Sequence, residues 1–426
     1  MTSHWAVGDQ YGLAFPADPA ALEGGAAPFL TTAFLASGAL RDNGIARVTE
    51  FAEVAGGSTG RKAILSVEYA KPAPELPAEL FVKFSRDFDD PARDRGKAQM
   101  EPEVRFATLS RAPEFPIAVP RVLFADYHRQ ASTGILVTER IRFGGNGIEP
   151  QYHKCLDYEM PEPLEHYRAL LTALARLAGT HRSGRLPAEL TAPFPLDVAA
   201  ATVGDRAPLS PGKLERRVDQ LAEFAAIRPG LLPACSPELV TRLRADVPRF
   251  AHCEQTVATL LADDCDYVAL CHWNANIDNA WFWRDADGVL RCGLMDWGCV
   301  SQMNLGMAIW GAMSGAETDL WDCHLDELLL LFVTEYRRCG GPELDPVRLR
   351  RYTVLYAAAM GVAWLLDVPA LIRKRFEAIP DSRRHPLIRD DEGVRAPLQM
   401  LSNLLFLWDR HRVGELLDAA LAEWNT

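Results

Sequence analysis

The stretch CHWNANIDNAWFWRDADGVLRCGLMDWG, Cys271 to Gly298, is the one around which the chain is organised. Two polar clusters, His272 to Asn279 and Met295 to Gly298, each follow a short apolar run. Between them lie Trp281 to Trp283, turn residues at Asp285 to Gly288, and a second apolar run, Val289 to Leu294. This spacing predicts a loop, a strand, a tight turn and a strand ending in Asp296, a hairpin that brings the two polar clusters together. An Asn and an Asp at such ends are suitable oxygen ligands for Mg2+, which prefers hard donors completed by water and phosphate. The plainer reading is that Asn and Asp beside turns satisfy local backbone groups.

Length and composition bound what the rest can be. With 426 residues and 48% hydrophobic content, the chain can build two or three domains with large cores. A net charge of -12 argues against non-specific nucleic-acid binding, although a local lysine, glycine loop and metal can reverse the field inside a cleft. The nine cysteines lack C-x-x-C spacing and lie mostly in apolar segments, so they read as reduced core residues in a cytoplasmic protein. The start, MTSHWAVGDQYG, has no secretory pattern, and no uninterrupted apolar span reaches membrane length, so no membrane insertion is expected.

Upstream of the central stretch the chain reads as strands. Residues 1–45 form an N-terminal extension with a helical run from Pro28 to Leu40. Thr49 to Val54 and Lys62 to Tyr69 read as strands flanking a glycine-rich turn that holds Gly56, Gly57 and Gly60. Exposed N–H groups of such a turn can cover phosphates, though a glycine-rich hairpin is ordinarily no more than a turn. Glu79 to Phe84 reads as a third strand carrying Lys83 among apolar residues. A lysine there requires either a partner or a sheet edge where its head reaches water. Glu103, on a helix expected from Ala98 to Leu109, is the candidate partner, because it shares a face with Phe106. Ile117 to Ala125 and Thr133 to Glu139 complete the strand pattern.

Near residue 140 the pattern changes to helices, which indicates an α+β architecture. Helices are expected from Glu162 to His181, Leu214 to Arg228, Ser236 to Leu261, Leu305 to Met313, Leu320 to Arg338, Pro346 to Leu366, Pro369 to Glu377 and Pro397 to Trp424. The punctuated segment 183–212 reads as a surface insertion.

Taken in order, a glycine-rich hairpin, strand lysine, helix glutamate, helical domain, His-x-Asn loop and aspartate-ended hairpin resemble the protein-kinase-like small-molecule phosphotransferases. These include aminoglycoside phosphotransferases, choline kinases and ecdysteroid-kinase-like proteins. The most specific piece is His272 to Asn279, set against a family pattern H-G-D-x-x-x-x-N, with Asp296 and Trp297 where the family has an aspartate-aromatic pair. The resemblance implies a bilobal fold: an antiparallel-sheet N-lobe that binds nucleotide over 46–139 and a helical C-lobe over 140–426. It implies ATP and Mg2+ as cofactors and a small-molecule acceptor. Gly56, Gly57 and Gly60 would cover the nucleotide, Lys83 would contact its phosphates, Glu103 would orient Lys83, and Glu139 would begin the hinge that receives adenine. Asn279 and Asp296 would hold Mg2+, and His272 would support the loop.

One departure is large. The family's catalytic aspartate falls at Asn274, whose amide can orient a hydroxyl but cannot take its proton as a carboxylate does. Trp273 replaces a glycine, and the segment Asn304 to Ala308 lacks the family's usual aspartate. Three readings stay open: an atypical phosphotransferase in which positioning and electrostatics suffice and a carboxylate such as Asp278 replaces the base, a nucleotide-binding protein without transfer, and altered chemistry such as nucleotidyl transfer. Neither the acceptor nor the oligomeric state is legible from these residues.

Overall fold

Extended segments between Trp5 and Glu139 form the strands β1 (Trp5–Val7), β2 (Ala14–Pro16), β3 (Ile45–Val54), β4 (Arg61–Tyr69), β5 (Glu79–Phe84), β6 (Val122–His128) and β7 (Thr133–Glu139). The computed structural model describes residues 4–57, 59–201, 203 and 207–424, so Ser58 of the glycine-rich turn lies outside the described residues. These strands belong to a compact unit made of Met1–Ile148, Leu186–Phe194 and Gly293–Val300. Strands β3 to β7 make one antiparallel sheet in the order β3-β4-β5-β7-β6, while β1 and β2 pair separately.

Strand periodicity assigns the two faces of this sheet. Leu80, Val82 and Phe84 of β5 and Ile135 and Val137 of β7 pack with Phe29, Leu30 and Phe34 of the helix Ala26–Ala36. The N-terminal segment therefore covers one face. On the other, Leu136 of β7 and Ala125 and Tyr127 of β6 pack with Met100, Val104 and Ala107 of the helix Met100–Leu109. Since successive side chains point to opposite faces, Lys83 must leave β5 on the side of the second helix.

Expected strands at Glu79–Phe84 and Thr133–Glu139 are present at those bounds, but the one expected from Ile117 to Ala125 is displaced to Val122–His128. Pro120 accounts for the shift, because it fixes its own φ and offers no ladder N–H. Ala118 instead bridges Gly293, and its carbonyl accepts the Leu294 N–H at 3.0 Å.

The second unit comprises Glu149–Arg185, Pro195–Cys292 and Ser301–Thr426. It is mainly helical. The helices Pro163–Arg182 and Thr318–Arg338 run side by side, tied by Arg176 to Glu335 at 2.5 Å and by Arg168 to Glu327. Every residue of the helix Leu305–Met313 is buried, and a Cβ on Gly306 would meet the Thr353 backbone N at 2.6 Å. Only glycine lets the two backbones approach so closely. The strands here are β8 (Val268–His272), β9 (Ala280–Arg284), β10 (Leu290–Leu294) and β11 (Val300–Asn304). β9 and β10 form the expected hairpin, and β8 pairs with β11. The helix expected from Pro397 to Trp424 is two, Glu392–Arg410 and Val413–Trp424, separated at Arg412 by a left-handed φ of 50°.

An antiparallel-sheet unit followed by a larger helical one is the α+β, protein-kinase-like architecture. Among the described residues no single helix is long and apolar enough to cross a membrane; one pair, Pro346–Ala363 with Leu365–Arg375, passes that test only when joined across a 44° bend. Of the cysteines, all free, just Cys155, Cys271 and Cys292 are buried, so fewer are core residues than their apolar neighbourhoods suggested.

Candidate functional site

In the first unit the β5 lysine finds the partner its environment demands. Lys83 is 8% exposed, and its Nζ donates to Glu103 Oε2 at 2.7 Å and to Asp296 Oδ1 at 2.5 Å. Burial alone would lower the pKa of this ammonium, but the two carboxylates outweigh it and hold the pKa above its usual value. Glu103 is itself 4% exposed, and burial raises its pKa despite the neighbouring ammonium. Two acids thus share one cation. Charge-assisted bonds of this kind fix both side chains in place.

Asp296 reaches Lys83 from a left-handed backbone, φ 62°, just beyond β10. Its neighbour Trp297 anchors the turn: the ring stacks on Phe106 at 3.8 Å, and the backbone N–H donates to Glu103 Oε1 at 3.2 Å. The helix Met100–Leu109 therefore holds both Lys83 and the Asp296 turn. The Asp296 side chain remains 41% exposed.

The glycine-rich turn between β3 and β4 has positive φ at Gly56 (107°), Gly57 (80°) and Gly60 (55°). A Cβ on Gly60 would lie 1.9 Å from the Phe84 carbonyl oxygen, so this position admits only glycine. Arg93 clamps the turn from outside, donating to the carbonyls of Gly56, at 3.3 Å, and Gly60. Lys62 pairs directly across from Lys83 in the β4–β5 register, and its Nζ lies 2.4 Å from where a Gly57 Cβ would be. Its pKa is lowered by burial and by the Lys83 charge. Neither Lys62 nor Arg93 is among the site residues expected from the sequence. Lys62 comes opposite Lys83 only through the β4–β5 register, which the pattern along the chain does not give.

Glu139 lies at the end of β7, where its carboxylate accepts the Arg121 N–H at 2.8 Å. Its own N–H donates to Arg121 O at 2.9 Å, and its carbonyl accepts from Thr138 Oγ1 at 2.9 Å. The backbone of Glu139 is thus engaged within the sheet, and Arg140 to Arg142 are the next residues along.

In the second unit, His272 ends β8 fully buried, and the loop after it is held by amides. Asn276 Nδ2 donates to Asn274 Oδ1 at 2.6 Å, and Asn279 Nδ2 donates to the Asn274 carbonyl at 2.9 Å. The Asn274 side-chain oxygen is therefore already engaged. The Asn279 oxygen is not used by the bond its nitrogen makes. Asp278 lies 4.0 Å from Lys154 Nζ. A Cβ on Gly311 would sit 1.8 Å from the Trp273 carbonyl oxygen, so the helix Leu305–Met313 buttresses this loop directly. Each unit thus gathers one share of the expected site: Gly56, Gly57, Gly60, Lys83, Glu103 and Asp296 in the first, and His272, Asn274, Asp278 and Asn279 in the second. Among the described residues no three His, Cys, Asp or Glu side chains converge as a metal cage.

No protein-family model matches the chain, and neither does any curated protein. Solved structures of phosphotransferases do show a likeness. A macrolide 2'-phosphotransferase type I is 14% identical with a TM-score of 0.40, covering 86% of this chain and 94% of its own. A GDP complex of wild-type aminoglycoside 2'-phosphotransferase-IIIa is 12% identical with a TM-score of 0.41, covering 89% and 98%. A choline kinase from Cryptosporidium parvum Iowa II is 12% identical with a TM-score of 0.44, covering 88% and 93%.

Proposed function

We propose that this chain binds ATP with Mg2+ and transfers a phosphoryl group to a hydroxyl or acid group of a small molecule. One observation carries the reading: a buried ammonium, Lys83, held in fixed geometry by Glu103 and Asp296 beside a glycine-rich turn. Such a fixed cation is suited to the phosphates of a nucleotide, where positioning and charge do most of the catalytic work. Lys62, beside it in the sheet, adds a second cation. The N–H groups of the glycine turn cover the phosphates, and the backbone following Glu139 receives the base.

Mg2+ is commonly held by one or two protein oxygens and completed by water and phosphate. The partly exposed Asp296 carboxylate and the Asn279 amide oxygen fit that demand. When bound, the ion supplies neutralisation of charge on the transferring group. On the acceptor side, His272 supports the loop, Asn274 orients the acceptor, and Asp278, the nearest carboxylate in sequence, takes its proton. A second reading, nucleotide binding without transfer, is favoured by the bond that occupies Asn274 Oδ1.

Calorimetric titration with a non-hydrolysable ATP analogue tests the nucleotide site. Binding is expected to require Mg2+ and to weaken at least about tenfold in Asp296→Ala and Asn279→Ala, a loss of about 1.4 kcal/mol or more. Unchanged affinity in both variants overturns the assignment. ADP release on addition of acceptors then separates transfer from binding alone.

A further inference from the structure

A cavity of about 190 Å³ lies wholly within the helical unit, lined among others by Tyr158, Glu317, Arg383, Arg384, Arg395 and Gln399. Its charge runs opposite to that of the chain. Three guanidinium groups face one carboxylate, Glu317, which Arg383 holds at 3.3 Å, in a protein of net charge -12. A local excess of positive charge inside a concave wall concentrates anions.

Arg395 makes the case specific. It is 9% exposed and emerges from the first turns of the helix Glu392–Arg410. Its Nε donates to Lys154 O at 2.9 Å and its Nη1 to Arg389 O. Both acceptors are neutral carbonyls. Among the described residues no carboxylate hydrogen-bonds this guanidinium, and Glu159, the acid that feels its charge, is held by Arg389. A guanidinium so enclosed is completed by an anion that can take its fork. Tyr158 supplies a second unmet group: its hydroxyl is enclosed without a hydrogen-bond partner among the described residues, under the Arg384 guanidinium at 4.5 Å from the ring. A planar guanidinium fork and a phenol are groups that carboxylates and phosphates satisfy.

The wall of the cavity also leads to the candidate loop. Lys154, whose carbonyl Arg395 holds, stands 4.0 Å from Asp278, and Cys155, also lining the cavity, feels the Asp278 charge.

We propose that this cavity binds a small molecule through a carboxylate or phosphate group, and that this molecule is the acceptor. The second part rests on the phosphotransfer reading above. Size limits the ligand: the volume is that of roughly six water molecules, enough for a phosphate or a short carboxylic acid but not for a large glycoside.

Titration of the full chain with inorganic phosphate and, separately, with malate tests the site, and the stronger of the two identifies the group. Binding in the millimolar range or tighter is expected. It should weaken at least about fivefold in Arg384→Gln, an exposed substitution, and about tenfold in Arg395→Lys, which keeps the charge but loses the fork. Circular dichroism checks that both variants are folded. Absence of binding by both probes, or binding that neither substitution alters, overturns the proposal. Titration with the ATP analogue separates the two readings. Nucleotide binding without anion binding removes this site and leaves the nucleotide site standing. Anion binding without nucleotide binding overturns the acceptor role.

Discussion

Lys83 Nζ is bonded to Asp296 Oδ1 at 2.5 Å, although 213 positions separate the two in sequence. The same ammonium holds Glu103 at 2.7 Å, so one cation is shared by two carboxylates from distant segments. The shared ion pair keeps these groups ordered and charged.

Removing Lys83 should therefore cost stability as well as binding. Lys83→Met removes the cation to which Glu103 and Asp296 are bonded and leaves only the Lys62 charge nearby, and a loss of about 3–5 kcal/mol is expected in chemical denaturation. Glu103, whose pKa burial already raises, would then take up a proton more readily folded than unfolded. The deficit should shrink as pH falls, and Lys83→Met with Glu103→Gln should recover most of it.

The glycine turn is tested by contrast. Gly60→Ala places a methyl 1.9 Å from the Phe84 carbonyl oxygen at φ 55°, whereas a Cβ on Gly56 meets nothing within 4 Å. Both positions carry a positive-φ penalty, but only Gly60 adds a backbone clash. Gly60→Ala should lower stability by about 2 kcal/mol more than Gly56→Ala. Thermal unfolding of the two variants gives the comparison.

Asn274→Asp restores a carboxylate that the Asn276 amide can still hold. Turnover with a phosphate acceptor should rise by about a hundredfold, within the range of general-base catalysis, while affinity for the ATP analogue stays the same. No change in turnover would place the limitation elsewhere than in the amide at Asn274.

Asp157 predicts a pH dependence unrelated to nucleotide. The residue is fully buried, and burial raises its pKa from 3.8 to about 7, opposed by the Tyr167 hydroxyl and reinforced by Glu317. The folded chain thus binds this proton more tightly than the unfolded one. Stability should fall as pH rises from about 4 to about 7, by on the order of 4 kcal/mol from this group. His181 acts in the opposite sense: burial lowers its pKa from 6.5 to about 4, so acidification over that range costs stability. Asp157→Asn should remove the first effect and leave the second. Denaturation midpoints of wild type and variant across that range provide the check.

Much of the fold could be read locally. Apolar alternation in Glu79–Phe84 and Thr133–Glu139 is a short-range property, and so is the helical period of Leu305–Met313. The glycine-rich turn between two strands was legible for the same reason, as was the hairpin that ends before Asp296. The boundary errors have local causes too: Pro120 delays β6, and Arg412 breaks the last helix.

What the sequence by itself determined was which residues carry charge on apolar elements and therefore need partners, because burying a lone charge is unfavourable whatever the fold. On that ground Lys83 stood out as needing a partner or water, with Glu103 the candidate. Tertiary structure alone decided who the partners are. It gave Lys83 a second carboxylate in Asp296, set Lys62 beside it through strand register, engaged Asn274 Oδ1 with Asn276, and bonded Arg395 to two backbone carbonyls. These depend on contacts between distant segments and on the register of strands, quantities that periodicity and composition along a single chain do not encode.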